Sequence, residues 1–197
     1  MELIDPEPSL DAHMMLCSLL SLGCAFGFAP PQETTALTAQ RALRIAQRRL
    51  RPDVRSKLLS VSSPKTTSSL EPDAWRFIFF DAGTSGKSRA VTVAARTSSE
   101  HPETVEAFND MKGETAAGLN VIAQSKWLID SDAALQKVRG EFKCKHVSAA
   151  QYRLVRANSV REAFWMIKFF DDRDEVLVRF RIDARTGDLH QLHADEE

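Results

Sequence analysis

Two parts of the sequence carry the residue types that bind metal ions. His190 and His193 have the spacing nearest to a metal-ligand pair, and Asp188 and Asp195 lie beside them. A structural zinc site needs four ligands on rigid elements, whereas these residues follow the last predicted strand. The acidic run at 171–175 lacks the glycine-centred loop of calcium sites. We therefore predict a solvated turn at 171–175 and no metal or other cofactor.

Nucleophilic catalysis is the second chemistry that the residue types allow. It needs a nucleophile, a base and an orienting group brought together. His101 and His146 are scattered among many serines, with no G-x-S-x-G motif, glycine-rich phosphate loop or cysteine pair. Cys144 is a lone cysteine, which is more often a packed side chain than a nucleophile. The sequence predicts no catalytic residues, and therefore a protein that is not an enzyme.

An internal repeat indicates the unit from which the chain is built. Residues 75–81 (WRFIFFD) match residues 165–171 (WMIKFFD) at the Trp, both Phe and the Asp. Further along, residues 91–97 align with residues 180–186. Each copy follows an amphipathic segment. Residues 37–50 predict a helix with Thr38 as its N-cap, and a second helix is predicted to begin at 130–132.

Three strands are predicted after each helix. They cover 57–62, 75–79 and 90–95 in the first copy, and 152–156, 165–169 and 176–182 in the second. The period-two alternation places Trp75, Phe79, Trp165 and Phe169 on the face that covers the helix. The opposite face carries further apolar side chains: Ile78, Phe80, Met166, Phe170 and Leu177. We interpret that face as packing between the two sheets, with a partner protein as the alternative cover.

The predicted fold class is therefore α+β, with two tandem units that each pack one helix on a three-stranded antiparallel meander. The predicted organisation is a signal peptide at 1–29, a divergent first unit at 30–98, a connecting segment at 99–126 and a second unit at 127–197. The residues expected to maintain the units are Trp75, Phe79, Asp81, Trp165, Phe169, Asp171, Asp183 and Gly187.

The amino-terminal region contains the sequence's targeting signal. Residues 14–29 carry no charge, and the stretch is short for a membrane span, which needs about 20 apolar residues. Small residues at 23–25 and 27–29 suit signal cleavage, although the first basic residue is Arg41. We expect an extracytoplasmic protein, periplasmic or secreted, with a buried amino-terminal helix as the alternative. Membrane attachment is expected only if Cys24 is lipidated or the signal stays uncleaved.

Charge is balanced overall, at a formal net charge of −1, but is unevenly distributed. Residues 41–57 hold seven basic side chains against the single acid Asp53. A surface that binds single-stranded nucleic acid would interleave aromatic residues with this charge, and 41–57 has none. We interpret the segment as a solvated helix face and predict no nucleic-acid partner. Nucleic-acid binding stays an alternative only if the protein is not exported.

The second copy resembles a PepSY domain, the module found in metallopeptidase propeptides and in a regulator of spore-cortex lysis. The resemblance rests on residues 127–135, 152–154, 165–171 and 182–189, with 37–98 as a divergent copy. In that copy Ala94 and Ser98 stand where the family turn has the equivalents of Asp183 and Gly187. The resemblance implies a tandem-repeat, exported protein that binds another protein, and regulation or inhibition of a peptidase in trans. The alternative is a structural protein of the cell envelope without a peptidase partner.

Overall fold

The computed structural model describes residues 37–66, 69–95, 103–106, 118–142 and 146–192, with the backbone only at 103–106. The expected signal peptide, Cys24, Cys144, His101 and His193 lie outside the described residues. The helices are α1 (Ala39–Arg48), α2 (Pro52–Arg55) and α3 (Ser131–Glu141), with a 3₁₀ turn at Gln124–Lys126. The strands are β1 (Leu58–Ser62), β2 (Ala74–Phe80), β3 (Ser88–Ala95), β4 (Glu103–Glu106), β5 (Ala149–Val155), β6 (Phe164–Phe170), β7 (Val176–Asp183) and β8 (Leu189–Leu192).

All eight strands belong to one antiparallel sheet in the order β4-β3-β2-β1-β5-β6-β7-β8. The predicted fold class, two tandem units of a helix on a three-stranded meander, is therefore wrong. The two copies share a single continuous sheet, and each adds a fourth strand that the sequence did not reveal. β4 and β8 are only four residues long, too short for a recognisable alternation.

The two copies join because their first strands pair with each other. Ser60, Val61 and Ser62 of β1 lie opposite Val155, Leu154 and Arg153 of β5, respectively. In two separate three-stranded sheets, β1 and β5 would each be an open edge with unpaired backbone groups. Their pairing with each other removes these two edges.

The chain that follows β1 extends the junction along β5. The hydroxyl oxygens of Ser63 and Thr66 accept hydrogen bonds from the backbone N–H groups of Tyr152 and Ala150, at 3.0 and 2.8 Å. Their own N–H groups donate to the carbonyl oxygens of the same two residues. The β1–β5 junction is therefore held by side chains as well as by the main chain.

One hydrophobic core contains buried residues from both copies and from the helices. The alternating burial of β2 and β6 places Trp75, Phe77, Trp165 and Ile167 on the helix side, as predicted from the period of two. Since both copies bury the same face of one sheet, the preferred interpretation that two sheets pack on each other is also wrong. The opposite face, which we call the open face, is not covered by any described helix.

The repeated tryptophans attach the helices to the sheet in the same way. The indole Nε1–H of Trp75 donates to the carbonyl of Leu37 at 2.6 Å, and that of Trp165 donates to the carbonyl of Ile129 at 2.8 Å. Leu37 and Ile129 each directly precede a helix N-cap, namely Thr38 and Asp130. The two rings also contact each other edge to face, with centroids 5.9 Å apart.

The amino-terminal ends of α1 and α3 meet, and side chains at the start of α3 accept hydrogen bonds from α1. The N–H of Ala39 donates to Ser131 Oγ, and the N–H of Gln40 donates to Asp130 Oδ1, both at 3.0 Å. Asp130 Oδ1 also accepts from the N–H of Ser131 at 2.7 Å. Side chains of α3 therefore satisfy N–H groups of α1 that have no partner within their own helix.

We expect Trp165→Ala to destabilise both copies together, because the ring lies in the shared core. Loss of a buried tryptophan costs about 3–5 kcal/mol of unfolding free energy. Urea unfolding should show one transition, shifted equally when followed by far-UV circular dichroism and by the fluorescence of the remaining tryptophans. Two separate transitions, with the first copy unaffected, would show that the copies fold independently.

We expect Ser131→Ala to lower the unfolding free energy by about 1 kcal/mol, because it leaves the buried N–H of Ala39 without an acceptor. The measurement is urea unfolding beside the control Ser56→Ala, a change at an exposed position. Equal stability of the two variants would argue against capping between the helices.

Candidate functional site

The aromatic residues of the repeated motif lie in the core. Trp75, Phe79 and Trp165 have no exposed surface, and Phe169 has almost none. Trp127 is also buried, and its Nε1–H donates to the carbonyl of Ile129 at 2.8 Å. These side chains position the helices against the sheet, and a ligand approaching from solvent would not reach them.

Asp81 is a buried carboxylate at the end of β2 that pairs with two partly exposed arginines. Its side chain is fully covered, and it accepts from Arg51 Nη2 and Arg89 Nε, both at 2.9 Å. The backbone N–H of Gly83 donates to Asp81 Oδ1 at 3.0 Å. This N–H is the largest influence on the pKa of Asp81. Together with the two arginines it outweighs burial and holds that pKa below its ordinary value of 3.8.

Asp171 is the counterpart of Asp81, but it closes a turn without a buried ion pair. Its Oδ1 accepts from the N–H groups of Arg173 and Glu175 at 2.9 and 2.8 Å. Its carboxylate thus bonds the backbone of the acidic run 171–175 as part of the turn between β6 and β7.

Asp183 and Gly187 shape the turn between β7 and β8. Asp183 Oδ1 accepts from the N–H groups of Arg185 and Thr186 at 2.8 and 2.9 Å. Partial burial is the largest single influence on the pKa of Asp183 and acts to raise it. The two N–H donors, the Thr186 hydroxyl and the charge of Arg181 together outweigh burial and lower that pKa. Gly187 has φ +77°, in the left-handed region, and a Cβ there would also displace the end of the Lys137 side chain. The turn therefore favours glycine at this position.

Neither a metal centre nor a membrane span is found in the described ranges. No group of three or more His, Cys, Asp or Glu side chains in them is placed to hold a metal ion. No described helix has the length and the apolar run needed to cross a membrane.

The open face of the sheet contains a groove of about 680 Å³ over the β1–β5 junction. Its polar and charged lining residues are Ser60, Ser62, Gln151, Tyr152, Arg153, Lys168 and Arg179. Its apolar lining includes Ile78, Val155, Phe164 and Met166. No acidic side chain of the described residues lines it. We call this surface the cationic groove.

Strand register arranges the groove in rows that cross the strands. One row is mainly apolar and runs from Ile78 through Ser60 and Val155 to Phe164. The next row runs from Ser62 through Arg153 and Met166 to Arg181. A third row places Gln151, Lys168 and Arg179 side by side. Along β5 the apolar row is therefore followed by two successive rows that contain cations.

The groove cations have no protein counter-charge within the described residues. None of Arg153, Lys168 and Arg179 forms an ion pair there. Lys168 lies directly opposite Arg179, a like-charged cross-strand pair that destabilises a sheet. Arg179 Nε is buried without a hydrogen-bond acceptor among the described residues. These features suit a negatively charged ligand.

Sequence reasoning identified the apolar part of this face but missed its cations. It placed Ile78 and Met166 opposite the helices, whereas it treated Arg179 and Arg181 as the solvated side of a half-buried strand. Arg153, Lys168 and Arg179 are far apart in sequence, and only strand register brings them together. The available signal was the alternation within each strand: Lys168 is two residues from Met166, and Arg179 alternates with the buried Val178 and Phe180.

We expect Asp81→Asn to lower the unfolding free energy at pH 7 by about 2 kcal/mol, because it removes a charged acceptor from two arginines. A carboxylate with a lowered folded-state pKa stabilises the fold above its unfolded-state pKa. That contribution is lost as the pH falls through the folded-state pKa. The difference between wild type and variant should therefore shrink below about pH 4. Urea unfolding from pH 7 to pH 2 measures it.

The control is Asp53→Asn, since Asp53 also pairs with Arg51, at 3.6 Å, but is 62% exposed. It should change stability by less than about 0.5 kcal/mol at any pH. A constant difference between wild type and Asp81→Asn down to pH 2 would contradict a lowered pKa.

Comparison with protein-family models, curated proteins and solved structures finds no match to this chain. The PepSY resemblance therefore stays a prediction, and the open face and its cationic groove are the geometry on which a function can be proposed.

Proposed function

We propose that this chain is an exported, non-enzymatic protein that binds a partner protein through the open face of its sheet and regulates a peptidase in trans. The observation that carries the binding role is the one-sided architecture. All described helices lie on one face of an eight-stranded sheet, and the other face forms a groove of about 680 Å³.

The composition of the open face supports a binding role. An antiparallel sheet can leave one face in water, and such a face is normally polar. Here Ile78, Phe80, Met166 and Phe170 lie on that face and are only partly buried. Lys57 and Lys65 lie over the rings of Phe80 and Phe170 at 5.7 and 4.9 Å. Partly exposed aromatic and methionine side chains are enriched at protein interfaces relative to the rest of the surface.

A protein partner fits the dimensions of the face. Standard interfaces bury about 800 Å² on each partner, which requires a broad, continuous surface. Neighbouring strands lie about 4.8 Å apart, so the six central strands extend over about 24 Å. The groove lies in the middle of this surface, where buried interface cores form.

The peptidase as partner and the export of the chain rest on the PepSY resemblance and on the uncharged stretch at 14–29. In the family the module accompanies peptidases, and this sequence contains no His-Glu-x-x-His motif of its own. We propose regulation of a peptidase that is a separate chain. A structural role in the cell envelope is the other outcome that the test must distinguish.

We expect the full-length protein to inhibit a peptidase among the exported proteins of its source cells, and Met166→Asp to weaken that inhibition at least about tenfold. Met166 lines the groove, and a carboxylate there would have to be desolvated in the interface. The measurement is a titration of peptidase activity with purified wild type and variant.

Leu128→Asp is the matched control, because Leu128 is a 64% exposed apolar residue outside the groove lining. It should leave inhibition unchanged. Equal effects of the two substitutions would argue against the open face as the binding surface. If the protein changes the activity of no exported peptidase and instead captures envelope assembly proteins, the structural role is favoured.

A further inference from the structure

We propose that the cationic groove binds an acidic polypeptide segment that also carries apolar side chains, with Arg153, Lys168 and Arg179 contacting its carboxylates. The inference rests on the proposed function in one respect, namely that a partner protein supplies the segment.

The arrangement of the cations indicates an anionic ligand. Lys168 and Arg179 are directly opposed across β6 and β7, and Arg153 of β5 is a diagonal neighbour of Lys168. Opposed like charges destabilise the free sheet. Since no described carboxylate pairs with these three side chains, a bound anion would replace the repulsion with attraction.

Arg179 provides an unused donor inside the groove. Its Nε is shielded from solvent and lacks an acceptor among the described residues, although the side chain as a whole is only half-buried. A guanidinium group presents its N–H groups as a planar fork that matches a carboxylate. A carboxylate in the groove would therefore satisfy a buried donor and add a charge-assisted hydrogen bond.

The apolar row favours a polypeptide over a nucleic acid. Ile78 of this row and the neighbouring Met166 are only partly buried, lie beside the cations and can contact aliphatic side chains. Binding of single-stranded nucleic acid relies on exposed aromatic rings on which bases stack. The ring of Phe164 is buried, and the guanidinium group of Arg181 lies over it at 4.2 Å. That ring is therefore not open to a base.

Strand spacing determines the length of segment that the groove can accept. From Ile78 of β2 to Arg179 of β7 the groove crosses four strand intervals, about 19 Å. An extended chain covers that distance in about six residues. Two or three acidic residues with apolar neighbours are therefore enough to contact both the cations and the apolar row.

The test measures binding of a fluorescent, acetylated and amidated nonapeptide, (Glu-Glu-Leu)₃, to the full-length protein by anisotropy in about 50 mM salt. We expect it to bind at least about tenfold more tightly than (Gln-Gln-Leu)₃ and to lose affinity as salt increases. A single-stranded DNA nonamer and inorganic phosphate serve as competitors and should displace the peptide less effectively than unlabelled peptide does.

Arg153→Glu and Arg44→Glu form a matched pair, because both replace an exposed arginine with the opposite charge. Arg153 lines the groove, whereas Arg44 is an exposed residue of α1 outside the groove lining. Arg153→Glu should weaken peptide binding at least about tenfold, and Arg44→Glu less than about twofold.

Lys168→Glu separates a loss of binding from a loss of folding. It should weaken peptide binding and yet raise the Tm of the free protein by about 1–3 °C, because it converts the like-charged pair with Arg179 into an opposite-charged pair. A variant that binds less but melts higher has not lost its ligand through unfolding.

Four outcomes would overturn the inference: equal binding of the two peptides, equal effects of Arg153→Glu and Arg44→Glu, unchanged peptide binding by Lys168→Glu, or stronger binding of the DNA nonamer. If the peptide binds but the protein changes the activity of no exported peptidase, the proposed function is contradicted. The inference that the groove binds an acidic segment would still hold. Peptidase inhibition that is insensitive to Arg153→Glu would support regulation and contradict the groove as the site of contact.

Discussion

The antiparallel pairing of β1 with β5 is the constraint on which the rest of the structure depends. It joins the two copies of the repeat into one eight-stranded sheet. Because the sheet is continuous, both copies bury the same face, and Trp75 contacts Trp165 across the junction. The junction also brings the amino-terminal ends of α1 and α3 close enough for Asp130 and Ser131 to accept hydrogen bonds from α1.

The same constraint produces the open face. Two separate units could have packed their sheets together and hidden the second face of each, whereas one shared sheet with all described helices on one side leaves that face uncovered. The β1–β5 junction then brings Ser60 and Ser62 beside Arg153 and Val155. The core and the groove therefore lie on opposite faces of the same pair of strands, and a change at the junction affects both.

Local features of the fold were predictable because they depend on neighbours in sequence. Thr38 caps α1 and Asp130 precedes α3, as their residue types indicate. The alternation around Trp75 and Trp165 places both rings in the core. The cations of the groove were not predictable in the same way, because Arg153, Lys168 and Arg179 belong to three strands whose register depends on long-range pairing.

The sequence by itself determined the repeat, both longer helices, the six longer strands and the core-facing side of β2, β6 and β7, because short-range periodicity encodes these features. Only the tertiary structure decided that β1 pairs with β5, that β4 and β8 extend the sheet, and that the cations gather in one groove. The physical reason is that backbone hydrogen bonding between strands is nearly independent of side-chain type. The choice of partner strand therefore depends on the whole chain.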